Sequence, residues 1–342
     1  MTDANSTKQI KIKTNRPVAS WLDYEFLIEE QKPVRSLTVI LRTAGCQWRR
    51  CRMCGYWHES SAHITQADIL AQLDYSLRAS PKEGFILKLY TSGSFLDERE
   101  ISATTRRRIA RMLQQRQEQD IKLKKLIIET RPEYVSAAKI ADLLQPHIGH
   151  WHLEVAMGLE TADDLIRLQY IDKGFSFTDF KNAARLIADC GATVKTYLLL
   201  KPPFVSERSA LEDVIKSAEL VTPFSSVISL NLCNVQRYTS LEELWKRGYY
   251  RPPWLWSAIE AIRAIKQKRK HIVVMSDPVG AGHIRGPHNC GYCDTAVKEA
   301  IKEFNLTQDL NILEGLNCDC RDRWHALMRF DEFLFGSVSV IE

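Results

Sequence analysis

The chain has 342 residues, with 47 Lys and Arg against 42 Asp and Glu, for a formal net charge of +5. Hydrophobic residues make up 45% and charged residues 26%, a balance that excludes a largely disordered protein. The length allows one large α/β domain or about two domains. No run of ~18 uncharged apolar residues is present, so a transmembrane helix is excluded. The first residues lack the apolar segment of a signal peptide, so a cytoplasmic protein without membrane association is expected.

Residues 1–35 read as an N-terminal extension that joins a basic arm (Lys8, Lys11, Lys13, Arg16) to an apolar amphipathic piece at 18–28. An alternation follows. Residues 36–43 read as a buried strand, and a cysteine-rich loop leaves it directly. Helical spacing of Ile69, Leu70, Leu73 and Leu77 predicts a helix over 65–79 with Thr65 as its N-cap. Further strands are expected at 85–93, at 124–132 (stopped by Pro132), at 151–161, at 194–203 and at 226–236. The helices between them fall at 104–116, 135–147, 179–191 (ended by Gly191) and 209–220. In the strand at 151–161 the polar residues His152, Glu154 and Glu160 share one parity.

About six strand–helix alternations imply parallel strands with helical crossovers. Ser92, Glu129, Glu154, Lys201 and Asn231 stand at or near the carboxyl ends of strands, where β/α barrels build their sites. Strand signals thin out after residue 236, so the expected fold class is α/β, a partial (β/α)6 barrel of TIM type over 36–236. Residues 237–342 then form a smaller C-terminal domain with a helix at 256–270, a strand at 271–276 and four late cysteines.

The nine cysteines are clustered. Cys46, Cys51 and Cys54 share the first loop, while Cys290 and Cys293, then Cys318 and Cys320, form two tight pairs. Cys190 and Cys233 stand alone and read as packing residues. In a reducing compartment such clusters point to metal rather than to disulfides. Three thiolates suit a cubane iron–sulfur cluster with its fourth iron left open. Arg49, Arg50 and Arg52 interleave with them and would favour thiolate over thiol. His58 and His63 lie nearby and read as solvated loop histidines.

A three-cysteine loop after the first strand of a six-fold β/α array resembles the radical S-adenosylmethionine (SAM) superfamily. The spacing here is four then two intervening residues, where the superfamily usually has three then two. Residues 128–134 (IETRPEY) and 158–167 (GLETADDLIR) are similar to segments of Elongator-catalytic-subunit-like members, and 90–97 (YTSGSFLD) occupies the place of the glycine-rich contact to the SAM amino group. With the loop TAGCQWRRCRMCGYW and the late GPHNCGYCD, the chain is similar over residues 35–330 to the radical-SAM subunit of archaeosine synthase.

The resemblance implies a [4Fe-4S] cluster on Cys46, Cys51 and Cys54, with SAM on its open iron and an external electron donor. It places Ser92 and Gly93 at the SAM amino group and Arg167 at the SAM carboxylate. It assigns Glu129 or Glu154 to the ribose hydroxyls, a salt bridge with Arg131 being the competing role. The implied substrate is a tRNA whose 7-deazaguanine base carries a lysine, attached through its ε-amine by a transglycosylase-like partner subunit. A 5′-deoxyadenosyl radical would abstract hydrogen from the carbon beside that nitrogen, and carbon–nitrogen cleavage would leave the amidine of archaeosine. Asn231, Asn234 and Gln236 are candidates for the substrate pocket or for ordinary strand-end capping.

Cys290, Cys293, Cys318 and Cys320, with 24 residues between the pairs, suit a closed, structural zinc site. A second iron–sulfur cluster or free thiols are the alternatives, and His283 or His288 could replace one ligand. Basic clusters at 106–111, 122–125 and 266–270 read as solvated helix faces, and a net charge of +5 permits a tRNA substrate without indicating one. Most of the eight tryptophans, Trp254 and Trp256 among them, should pack rather than stack on bases. The other readings are a different tRNA-modifying radical SAM activity, or a zinc-stabilised RNA-binding or scaffold protein without cluster chemistry.

Overall fold

The computed structural model describes residues 13–144 and 151–330. Lys8, Lys11 and the predicted helix end at 145–147 lie outside the described residues.

The elements follow in chain order as β1 (Ala19–Leu27), β2 (Lys32–Leu41), α1 (Gln66–Leu77), β3 (Gly84–Thr91), α2 (Ala103–Gln119), β4 (Lys122–Thr130), α3 (Ala137–Leu144) and β5 (His152–Glu160). They continue as α4 (Phe177–Asp189), β6 (Thr193–Leu200), α5 (Glu207–Val221), β7 (Val227–Leu232), α6 (Ser240–Lys246), α7 (Leu255–Lys268), β8 (Val273–Met275), α8 (Asp294–Thr307) and α9 (Cys320–Phe330). One curled eight-stranded sheet runs in sequence order from β1 to β8. Strands β2 to β8 are parallel, while β1 pairs antiparallel to β2.

The helix starts are legible. Thr65 accepts from the Asp68 amide while the Asp68 carboxylate takes the Thr65 amide, and Ser176 and Asp179 repeat this box at α4. Gly191, at φ +81°, turns the chain out of α4.

The sheet has two strands more than the six expected. The piece at 18–28 is β1, a strand whose alternation places Asp23 and Glu25 toward the barrel interior. It reaches β2 through a short turn in which Gln31 adopts φ 51°. Residues 273–275 form β8, which pairs with β7. One apolar core runs from Leu37 to Trp324, and the C-terminal α7 and α8 share it. Helices α6, α8 and α9 are not among the expected elements, although α8 buries Val297, Ala300, Ile301 and Phe304 at helical spacing.

Each inner strand is buried on both faces. On β3, Leu87 and Leu89 face the helices, while Ile86 joins Ile127, Ala156 and Val34 inside the barrel. The inner wall also holds charge: Lys125 of β4 lies between Glu154 (3.5 Å) and Glu29 (3.1 Å). The basic clusters are thus only partly solvated. Arg106 is 1% exposed, donating to Asp142 (3.1 Å) and Ile101 O (2.7 Å) and pairing with Glu98. Among the described residues no helix is long and apolar enough to cross a membrane.

Arg106→Met leaves the buried Asp142 with only the half-exposed Arg107. The variant should lose about 3 kcal/mol of stability in chemical denaturation, as expected when one partner of a buried pair is removed; a loss no larger than that of a surface substitution would refute a stabilising role for this cluster.

Candidate active site

The loop leaving β2 carries Cys46, Cys51 and Cys54, all half-buried, and all three line one cavity of about 730 Å³. Four contacts pin the loop at the carboxyl edge of the sheet. The Cys46 amide donates to Ser92 O (3.2 Å), the Arg52 amide to Ile171 O (2.9 Å), Trp48 Nε1 to Asp172 O (2.5 Å) and the Gly55 amide to Gln236 Oε1 (2.5 Å). A β carbon on Gly93 would stand 2.5 Å from the Cys46 nitrogen, so this glycine is required by close backbone approach. Gly174, at φ +80°, makes room for the Trp48 ring in the same way.

Burial pushes the Cys51 thiol up, and Cys54 up to about 12. The interleaved arginines do not offset this as expected. Arg49 donates to the Cys46 and Ala44 carbonyls, Arg50 to Asp172 and Arg52 to Gln169 O, so their charge is committed to the loop backbone and its neighbour. The cations that act on Cys51 are Lys173 and Arg131. Three sulfur donors in a partly desolvated cavity, converted to thiolates by a bound metal, fit the cluster that the spacing suggests. Further room for a ligand is marked by Ser92 Oγ, which is buried at the cavity without a hydrogen-bond partner.

Glu129 projects from the end of β4 into this cavity, and burial raises its carboxyl to about 7. Its carboxyl has no hydrogen bond or ion pair among the described residues, since Arg131 turns to Glu133 (2.5 Å) and Lys173 O (2.6 Å). Glu154 behaves differently. It is the third residue of β5, far from the strand's carboxyl end, and it pairs with Lys125 without lining the cavity. Glu160, six residues on and of the same parity, holds the carboxyl-end position. It sits at φ 71° and binds Lys173 at 2.5 Å, with Gly158 packed over the pair. Arg167 is also away from the cavity. It is fully buried, donating to Phe175 O (2.8 Å) and Thr161 O (2.6 Å) and pairing with Asp164, so it braces the turn between β5 and α4.

Asn231 and Asn234 line the cavity from the end of β7. Gln236 lines it as well, but its carbonyl is taken by Gly55. Cys233 packs with Met53 and Tyr250 beside the cavity. Glu160, already marked by its parity, lines it as well, and so do Lys173, Lys88, Lys195, Tyr90 and Tyr197, which are not among the residues singled out from sequence. Their signal was present: on β3 and β6 the residues two apart, Lys88 with Tyr90 and Lys195 with Tyr197, put polar groups on the inward parity of otherwise apolar strands.

The late cysteines converge. The Sγ atoms of Cys290 and Cys293 lie 3.9 Å apart, those of Cys290 and Cys318 3.7 Å, and those of Cys293 and Cys320 3.6 Å. A tetrahedron with metal–sulfur bonds of ~2.3 Å has edges of ~3.8 Å, so the donor set fits one tetrahedral ion. Asn289 Nδ2 and Trp256 Nε1 donate to Cys293 and Cys320, each at 3.3 Å. His288 is held by Gly286 O (2.7 Å) and is not part of the set.

An unclosed β/α sheet with a three-cysteine loop over its carboxyl edge is the arrangement expected of the radical SAM superfamily. The solved structures agree on the fold: an N-terminally truncated Elp3 of Methanocaldococcus infernus superposes with a TM-score of 0.50 at 23% identity, over 70% of this chain and 58% of that one. No protein-family model matches the chain. Among curated proteins, it is 42% identical over 338 residues to archaeosine synthase subunit beta of Methanosarcina acetivorans, covering 96% of both chains. It is 41% identical over 306 residues to the protein of that name from Thermococcus kodakarensis, covering 87% of this chain and 93% of that one. The chain belongs to the archaeosine synthase subunit beta family.

Two outcomes follow. Gly93→Ala forces the Cys46 backbone or Glu100 to move, so iron bound per chain after anaerobic reconstitution should fall well below the wild-type value while the fold persists; unchanged iron would contradict the close approach. Glu129 and Glu100 both rise from 4.5 to about 7, so the folded protein keeps protons that the unfolded chain releases over that window. Their stabilising share is full below about 4.5 and is lost as pH rises through about 7. Glu129→Gln should therefore flatten the fall of melting temperature of the metal-free protein across this window.

Proposed function

We propose that this chain completes the archaeosine base by cleaving a carbon–nitrogen bond of a lysine adduct on a 7-deazaguanine base in tRNA. One observation carries the reading: three cysteines of a single loop open into the same cavity as Ser92, Gly93 and the unpaired carboxyl of Glu129. Cys46, Cys51 and Cys54 would hold a [4Fe-4S] cluster, which with SAM would supply radical chemistry to the substrate. The chain's own residues orient and exclude water. Gly93 lets the loop seat, Ser92 has a free hydroxyl for the SAM amino group, and Glu129 is the carboxyl available to the ribose hydroxyls.

Glu154 and Arg167, offered by the resemblance for SAM, are engaged elsewhere and carry no such role in this proposal. Asn231 and Asn234 are the polar groups open to the base. Gln236 acts through the loop by holding the Gly55 amide. An external electron donor would serve the cluster, and a transglycosylase-like partner subunit would attach the lysine. Both belong to the proposal, as does a cytoplasmic location. Zinc is the ion proposed for the four late cysteines, where it fastens the segment ahead of α8 to α9.

The test uses anaerobically reconstituted protein, a reductant, SAM and lysine-bearing tRNA. Formation of 5′-deoxyadenosine together with the amidine base is expected. Deoxyadenosine without base conversion would reject the substrate. Replacing Cys46, Cys51 and Cys54 together by Ala should abolish the brown colour of the reconstituted protein and leave zinc in place; colour that survives would sink the cluster assignment.

A further inference from the structure

The lower half of the cavity is walled by charge that the reading above does not use. Lys88 on β3 and Lys195 on β6 meet across Glu25 of β1, with Lys88 Nζ 2.7 Å from Glu25 Oε2 and Lys195 Nζ 2.8 Å from Glu25 Oε1. All three side chains belong to buried residues, yet all three line the cavity.

An ammonium carries three N–H donors and no acceptor. Beyond Glu25, Lys88 has Asp23 at 3.9 Å and Lys195 has the Met275 thioether at 3.8 Å; no closer partner occurs among the described residues. Both Glu25 oxygens are taken, while each ammonium keeps donor capacity at the cavity wall. The two buried ammoniums share Glu25, with Asp23 at the edge of ion-pair distance from Lys88, and their remaining donors suit a ligand carboxylate at the cavity wall.

We propose that Lys88 and Lys195 together bind the α-carboxylate of the substrate's amino-acid moiety, with Asp23 facing its ammonium. The site rests on the proposed function, in which the base carries a lysine through its ε-amine. The lengths agree. Lys88 and Tyr90 are two residues apart on β3, and a strand rises ~3.3 Å per residue, so their levels differ by ~6.6 Å. Five carbon–carbon bonds separate a lysine carboxylate from its ε carbon, an extended reach of ~6 Å. A carboxylate held at Lys88 thus leaves the ε carbon near the level of Tyr90, below Ser92 and Gly93 at the strand end. The base then lies above it, toward Asn231 and Asn234.

Binding of Nε-acetyl-L-lysine to the intact chain, measured by isothermal titration calorimetry, tests the site. Its α-carboxamide and the variant Lys88→Met serve as comparisons; the variant keeps the Glu25–Lys195 pair. Saturable binding of the acid is expected, weakened about tenfold or more by either change. No saturable binding, equal affinity for the carboxamide, or unchanged affinity in a Lys88→Met protein of native circular dichroism overturns the site. If the variant does not fold, the two ligands on the wild-type chain decide. Carboxylate-selective binding without conversion of lysine-bearing tRNA would keep the site and reject that substrate. Conversion of lysine-bearing tRNA without carboxylate selectivity would do the reverse.

Discussion

Between Gly93 and Cys46 two backbones approach so closely that a β carbon on residue 93 would lie 2.5 Å from the Cys46 nitrogen and 2.7 Å from its α carbon. The carboxyl edge of the sheet is organised around this approach. It lets the Cys46 amide reach Ser92 O, turns the three thiols into the cavity and leaves the Ser92 hydroxyl unpaired beside them. Trp48, Arg52 and Gly55 then fasten the rest of the loop to the turn after β5 and to the end of β7. A loop held from three strands keeps its sulfurs in one place, and the Tyr56 amide adds a hydrogen bond to Cys54.

Below that edge the barrel interior is polar to a degree unusual for a packed core. Charges occur there in matched sets: Lys125 with Glu154 and Glu29, then Lys88 and Lys195 with Glu25, then Lys173 with Glu160. An isolated buried charge would be expensive, and pairing is what makes these positions tolerable. The set nearest the amino ends of the strands is closed on itself, whereas the upper two face the cavity. A sheet that stops at eight strands, with β1 antiparallel at one edge, leaves this interior open instead of filling it with apolar layers.

The strand-end residues divide according to where each strand actually ends. Glu129 and Ser92 reach the cavity because β4 and β3 stop at Thr130 and Thr91. Glu154 does not, because β5 runs on to Glu160; both carboxylates have the inward parity, and only the strand's length decides which one is at the mouth. Arg167 was readable as a cation on the segment after β5. Its direction was not, since two carbonyl partners at Phe175 and Thr161 draw it into the core.

The sequence by itself determined the alternation of parallel strands and helices, the N-cap at Thr65, and the division of the cysteines into three, four and two. These are local properties, set by period, by turn chemistry and by ligand spacing along the chain. Only the tertiary structure decided that residues 19–27 and 273–275 complete the sheet, that the interleaved arginines tie the loop to itself and to the turn after β5, and that Glu25 unites Lys88 and Lys195. Those pairings join residues as far apart as 25 and 195, and no local spacing encodes them: they exist because curling the sheet brings its inward parities to one axis.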